Sequence, residues 1–188
     1  MAKRCDLLLA LILARMNAGE NQGVLAELAP LAFSLAESMG DRARMGAIAR
    51  AAVDATARLW RAAGLVAEQG SRWLRRADEN TDPETLERVF VDMRRAGQLG
   101  GLDLGAQKSM VALDAYAMAK RIGDREALFY AAAVFLNIPP PVTFIPDMAR
   151  VLQEMIGEPK EGLGFRTRRD FLADAGARQP YLWRPDVV

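Results

Sequence analysis

Apolar residues return every three or four positions along most of this chain, which is the spacing of one face of an α-helix. The first such stretch predicts a helix from about Lys3 to Ala18, closed by Gly19, and the second a helix from about Gln22 to Met39, closed by Gly40. A third runs from about Arg42 to Ala63 with Met45, Ile48, Ala52, Val53, Leu59 and Trp60 along one side. Gly64 separates it from a fourth over about Leu65 to Ala77. Pro83 suits a first helical turn, so a fifth helix is expected from about Pro83 to Ala96 with Thr81 or Asp82 as its cap. A glycine-rich connector, Gly97 to Gly105, leads to helices over about Gln107 to Ile122 and Asp124 to Asn137. Pro139-Pro140-Pro141 ends the latter, because proline lacks an amide donor. Another helix is expected over about Phe144 to Ile156. Beyond Gly157 the pattern weakens: Phe165 to Ala175 holds one more helix, and Gln179 to Val188 reads as an extended tail. Alternating β-branched runs bounded by turn residues are missing, so the expected class is all-α.

Two stretches 83 positions apart carry nearly the same text, LAPLAFSLAESMGDR from Leu28 and VALDAYAMAKRIGDR from Val111. They share Ala29/Ala112, Ala32/Ala115, Ala36/Ala119, Gly40/Gly123, Asp41/Asp124 and Arg42/Arg125. Small residues at helical spacing let two helices approach closely, glycine then stops one helix and aspartate caps the next. The turn at Gly40, the loop before Pro83 and the turn at Gly123 fall at a period of about 41 residues, the length of two helices and two turns. One hairpin of that size cannot cover its own apolar face and stacks on its neighbours. The expected architecture is therefore antiparallel helical hairpins stacked as a right-handed α-solenoid. The alternative is an alanine-rich bundle, since the chain holds 33 alanines and some identities follow from composition.

Three further segments carry a family resemblance: Arg4-Cys5-Asp6-Leu7-Leu8-Leu9-Ala10-Leu11, Ala18-Gly19-Glu20 and Leu35-Ala36-Glu37-Ser38-Met39-Gly40-Asp41. They resemble the tetratricopeptide-like (TPR-like) arrays in the C-terminal regions of multidomain bacterial ATPase-type transcriptional regulators and cyclase-type proteins. Those arrays repeat a helix ending in Leu-Ala-x-x-x-Gly-Asp. The resemblance covers roughly residues 4 to 157. It implies a TPR-like repeat domain over 1–157, with 158–188 as a C-terminal extension, partly helical and then irregular. The chain departs from those families in having no GxxxxGK[ST] loop, no cyclase domain and no clear DNA-binding helix-turn-helix. The consensus Trp-x-x-Leu-Gly-x-x-Tyr is also unmet. The resemblance thus implies a sensor or scaffold portion alone.

Composition narrows the chemistry. The formal net charge is +1, which provides no global field toward nucleic acid or an anionic membrane. Histidine is absent, so the commonest general base and metal ligand are missing, and the single cysteine, Cys5, excludes an internal disulfide. Cys5 sits beside Leu7, Leu8 and Leu9 and reads as a small core residue in a reducing compartment. The apolar run Leu7 to Ala14 after Lys3 and Arg4 is too short to span a bilayer and lacks a cleavage site. It reads as the first core helix of a cytoplasmic protein. Thr167-Arg168-Arg169-Asp170-Phe171-Leu172 mimics a twin-arginine signal, but no apolar segment follows it. The acidic loop Asp78 to Asp82 lacks the ligand spacing and glycine of a calcium loop. The glycines of the connector do not fall as GxGxxG.

No set of residues converges in the pattern that nucleophilic or acid–base catalysis needs. The expected function is a non-catalytic helical-repeat scaffold that binds a protein or peptide within bacterial signalling or transcription regulation. No cofactor and no metal is expected, nor direct nucleic-acid or membrane binding. Self-association through an array end is a further expectation, because a terminal hairpin leaves apolar surface open. The concave surface would be lined by the first helix of each hairpin, which makes Arg50, Asp54, Arg58, Glu87, Tyr130 and Asn137 the candidate contacts. The alternative is a domain that senses a small-molecule effector in a pocket between helices, walled by Trp60, Trp73, Phe90 and Tyr116.

Overall fold

The computed structural model describes residues 1–59, 65–98, 105–139 and 141–182, and no strand occurs among them. Two compact units divide the chain, Met1–Val91 and Asp92–Val188.

The first unit opens with helix α1 (Ala2–Asn17), which buries Cys5, Ile12 and Met16 and ends before Gly19, where φ is +85°. A longer helical stretch follows in three parts: α2 (Asn21–Gly23), a π-helical turn (Val24–Leu28) and α3 (Ala29–Ser38). The widened turn has a local cause. Pro30 has no amide hydrogen, and its ring would collide with the Ala26 carbonyl in a regular α-helix. The Ala29 amide instead donates to the Val24 carbonyl, five residues back. Continuing that register would require an amide at Pro30 for the Leu25 carbonyl. Gln69 Nε2 donates to that oxygen from a neighbouring helix at 3.5 Å.

Gly40, at φ +63°, turns the chain into α4 (Arg42–Leu59). Helix α4 is central to the unit: α1 and α3 pack on it, as does α5 (Leu65–Asn80). Gly46 of α4 lies where α5 ends, and a Cβ placed on it would stand 2.7 Å from the Asn80 carbonyl oxygen. The core joins Ile12, Val24, Phe33, Ile48, Val53 and Trp73, with the Phe33 and Trp73 rings edge-on at 5.7 Å.

Helix α6 (Leu86–Gln98) begins three residues later than the Pro83 signal predicts. Residues 83–85 form a turn in which Glu84 takes φ 57°. Neither Thr81 nor Asp82 caps the helix. Thr81 Oγ1 is buried and donates back to the Ala77 carbonyl, closing α5, whereas the Thr85 hydroxyl accepts from the Arg88 amide at 3.2 Å and caps α6.

In the second unit α7 (Gly105–Ile122) and α8 (Arg125–Asn137) meet at Gly123, φ +77°, with Asp124 accepting a hydrogen bond from the Ala127 amide. Helix α8 is central here, buried through Ala127, Phe129, Ala132, Phe135 and Leu136. A 3₁₀ turn (Val142–Phe144) leads into α9 (Ile145–Gly157), and α10 (Phe165–Leu182) follows. Both α9 and α10 pack on α8. Helix α10 is longer than the pattern predicts and replaces part of the expected extended tail. Phe171 anchors it, fully buried with its ring edge-on to Phe129 at 5.0 Å. The arginines of the twin-arginine look-alike thus belong to the exposed side of α10. Trp60 and Gly64, the connector residues 99–104, Pro140 and the tail from Trp183 lie outside the described residues.

The two matched stretches perform the same local tasks. Ala29, Ala32 and Ala36 are 0% exposed, and so are Ala112, Ala115 and Ala119. Gly40 and Gly123 both adopt positive φ, and Asp41 and Asp124 each accept an amide three residues on. The match continues past the identical letters, since Ile48, Ala49, Ala52 and Val53 of α4 are buried like Ala131, Ala132, Phe135 and Leu136 of α8.

Candidate partner-binding surface

Arg50, Asp54 and Arg58 recur every four residues on α4 and therefore share one side of it. Arg50 Nη1 is 3.9 Å from Asp54 Oδ2, with the side chains 25% and 22% exposed. The Arg50 guanidinium lies 4.8 Å from the centre of the Phe90 ring, so it spans from α4 to α6 by cation–π contact. Arg58 Nη1 donates to the Met16 carbonyl at 2.7 Å, a second bond to an oxygen that also accepts from the Gly19 amide at the end of α1. Glu87 stands half-buried on α6. These four residues belong to the first unit. Arg50 and Arg58 tie its helices together, and all four keep part of their surface open.

Tyr130 and Asn137 belong to the second unit, on α8. The Arg94 guanidinium lies 5.7 Å from the centre of the Tyr130 ring, and Asn137 Nδ2 donates to Asp174 Oδ1 of α10 at 2.8 Å. Asn137 occupies on α8 the place that Asp54 occupies on α4, counting from the matched Gly-Asp corners.

Periodicity alone misses three polar clusters, because their members lie far apart in sequence. In the second unit Tyr116 Oη donates to Glu154 Oε2 at 2.8 Å, and Lys120 Nζ donates to the same oxygen at 2.9 Å. Arg150 reaches Glu154 at 3.3 Å and Asp147 at 3.0 Å. The Lys120 bond leads the effects that hold the Glu154 carboxyl below its ordinary pKa, while burial and then the bond to Glu154 push the Tyr116 phenol up. At neutral pH this fixes an ionised carboxylate against a protonated phenol. It is a brace between α7 and α9. In the first unit Arg44 holds Asp6 at 2.8 Å and also binds Asp41, and its hydrogen bonds lower the pKa of both carboxyls. Glu126 accepts from the Gly164 amide at 3.0 Å and from the Thr167 hydroxyl, fixing the start of α10.

Of the four aromatic residues expected to wall an effector pocket, Trp73 and Tyr116 fill the cores of different units. Phe90 is half-buried beneath Arg50, and Trp60 is outside the described residues. Among the described residues no group of three or more metal-ligating side chains comes together, and no helix is long and apolar enough to cross a membrane. No protein-family model matches the chain, and no curated protein or solved structure matches it.

Proposed function

We propose that the chain is a non-catalytic helical-repeat scaffold that holds a protein or peptide partner, with its hairpins stacked as a right-handed solenoid. The observation that supports this reading is the doubled corner. Two helix–Gly–Asp–helix units are built with the same buried alanines, the same positive-φ glycine and the same aspartate cap. Units repeated in this way display side chains at regular intervals, which suits capture of a partner through a few anchors. In this reading Arg50, Asp54 and Glu87 offer partly desolvated charge on the first unit, and Tyr130 and Asn137 offer an aromatic face and an amide on the second. Arg50 and Asp54 are already oriented by their internal contacts, so less side-chain freedom is lost on binding. The reading places the protein in the cytoplasm, within a bacterial signalling or regulatory assembly.

Affinity purification with the wild-type chain and with Glu87→Arg and Asn137→Arg variants tests it. A partner that co-elutes in fixed ratio with the wild type and is depleted from the variants, at unchanged circular dichroism, supports the reading. The same recovery with all three, or none, counts against it.

A further inference from the structure

Arg50 is a cation short of hydrogen bonds. Its guanidinium lies over the Phe90 ring at 4.8 Å, a contact that uses the flat face and leaves the in-plane N–H groups available. Among the described residues those groups reach no acceptor. Nε is buried without a hydrogen-bond partner, and Nη1 stands 3.9 Å from Asp54 Oδ2, beyond hydrogen-bond range. A buried donor in this state carries a desolvation cost that an incoming acceptor relieves.

Glu87 is the complementary acceptor. It precedes Phe90 by three positions and therefore stands on the same side of α6 as the ring beneath Arg50. The side chain is half-buried, and among the described residues it has no hydrogen-bond or ion-pair partner. A donor from α4 and an acceptor from α6, both lacking partners, thus lie beside one aromatic ring.

The surrounding charges select what fits between them. Arg50 and Arg58 on α4 are offset by Asp54 and Glu87, so these residues carry no net charge together. An anion that reaches Arg50 meets Asp54 and Glu87, and a cation that reaches Glu87 meets Arg50. An uncharged group that carries a donor beside an acceptor meets neither repulsion. In an extended chain the N–H and C=O of one residue point to the same edge. Laid across α4 and α6, such a residue gives its carbonyl to Arg50 and its N–H to Glu87. The order of the two groups also sets the direction in which the bound chain runs, from α6 toward α4.

We infer that Arg50 and Glu87 form a main-chain clamp for an extended peptide segment of a protein partner. Main-chain bonds supply affinity in this mode, while side chains alternating off the strand supply specificity. The inference deepens the scaffold reading and rests on it, by naming the groups of the partner that the first unit takes.

Random linear peptides selected by ribosome display against the full chain provide the probe, and titration calorimetry with the tightest of them tests the clamp. N-methylation at one residue of that peptide is expected to raise the wild-type dissociation constant about tenfold, the loss of one hydrogen bond to a charged group. Glu87→Leu, at unchanged circular dichroism, should bind the parent peptide about tenfold more weakly and show no further loss on N-methylation at that residue. Arg50→Lys keeps a cation but lacks Nε and the planar fork, and should weaken the same peptide by a similar factor. N-methylation losses that are equal in wild type and Glu87→Leu overturn the inference, as does a peptide indifferent to both substitutions. In either case a peptide is still bound, so the scaffold reading stands. A selection that yields no binder also overturns the clamp, and the scaffold reading is then decided by the affinity purification alone.

Discussion

Gly46 marks a spot where one methyl group decides whether two helices can close. Its missing side chain lets α4 reach the end of α5, and a Cβ there would stand 2.7 Å from the Asn80 carbonyl oxygen, a backbone atom that cannot rotate away. Gly46→Ala is expected to cost about 1–3 kcal/mol in urea denaturation. Gly97 in α6 has nothing within 4 Å of its Cβ position. Gly97→Ala should therefore stabilise by about 0.5–1 kcal/mol, by removing backbone freedom from the unfolded chain. The two substitutions are chemically identical and opposite in sign. A second residue-scale prediction concerns Glu154, whose pKa is lowered in the folded state. A lowered carboxyl stabilises the fold above its unfolded pKa, and that contribution is lost as pH falls through the folded value. The wild type should melt above Glu154→Gln at neutral pH, and the gap should narrow below about pH 4.3. Thermal melts followed by circular dichroism from neutral to acid pH check this, and a gap independent of pH would refute it. Neither Gly46 nor Glu154 was legible as special in the sequence. Each acquires its role from a residue more than thirty positions away, and helical periodicity reports only which side of a helix faces inward.

At the scale of the element, legibility tracks how local the cause is. Gly40 and Gly123 end their helices and Asp41 and Asp124 cap the next ones, because positive φ and amide capping involve neighbours in sequence. The start of α6 shows the limit of such signals. Pro83 is a good first-turn residue, yet Thr81 is drawn into the end of α5 by its bond to Ala77, and the helix waits for the Thr85 cap. The π-helical turn has a cause written in the chain at Pro30, but its repair comes from Gln69 on another helix. Gln69→Leu should leave the Leu25 carbonyl short of a donor and cost about 1 kcal/mol, the low end for an unpaired buried group because the bond is long. Pro30→Ala restores an amide to that region, so in a double-mutant cycle the cost of Gln69→Leu should shrink in the Pro30→Ala background. Equal costs in both backgrounds would mean that Gln69 does not act as the substitute donor.

Across the whole molecule, two units are each organised around one central helix, α4 in the first and α8 in the second. The fading hydrophobic pattern beyond Gly157 concealed the importance of α10, since among its described residues only Phe171 and the small Ala175 are buried apolar side chains. Phe171 is 1% exposed against Phe129, and Phe171→Ala is expected to lower stability by about 3–5 kcal/mol. Chemical denaturation measures this, and a loss below about 1 kcal/mol would mean that α10 is not part of the second core. The lone thiol offers a different kind of access to the assembly. Cys5 is buried on α1, donates to the Ala32 carbonyl at 3.7 Å and has its pKa raised by burial. A thiol reagent can reach it only when α1 lifts from α3, so its labelling rate in native buffer times that opening. Because the thiol is native to the chain, that rate reports the loosening of a single helix without any introduced label.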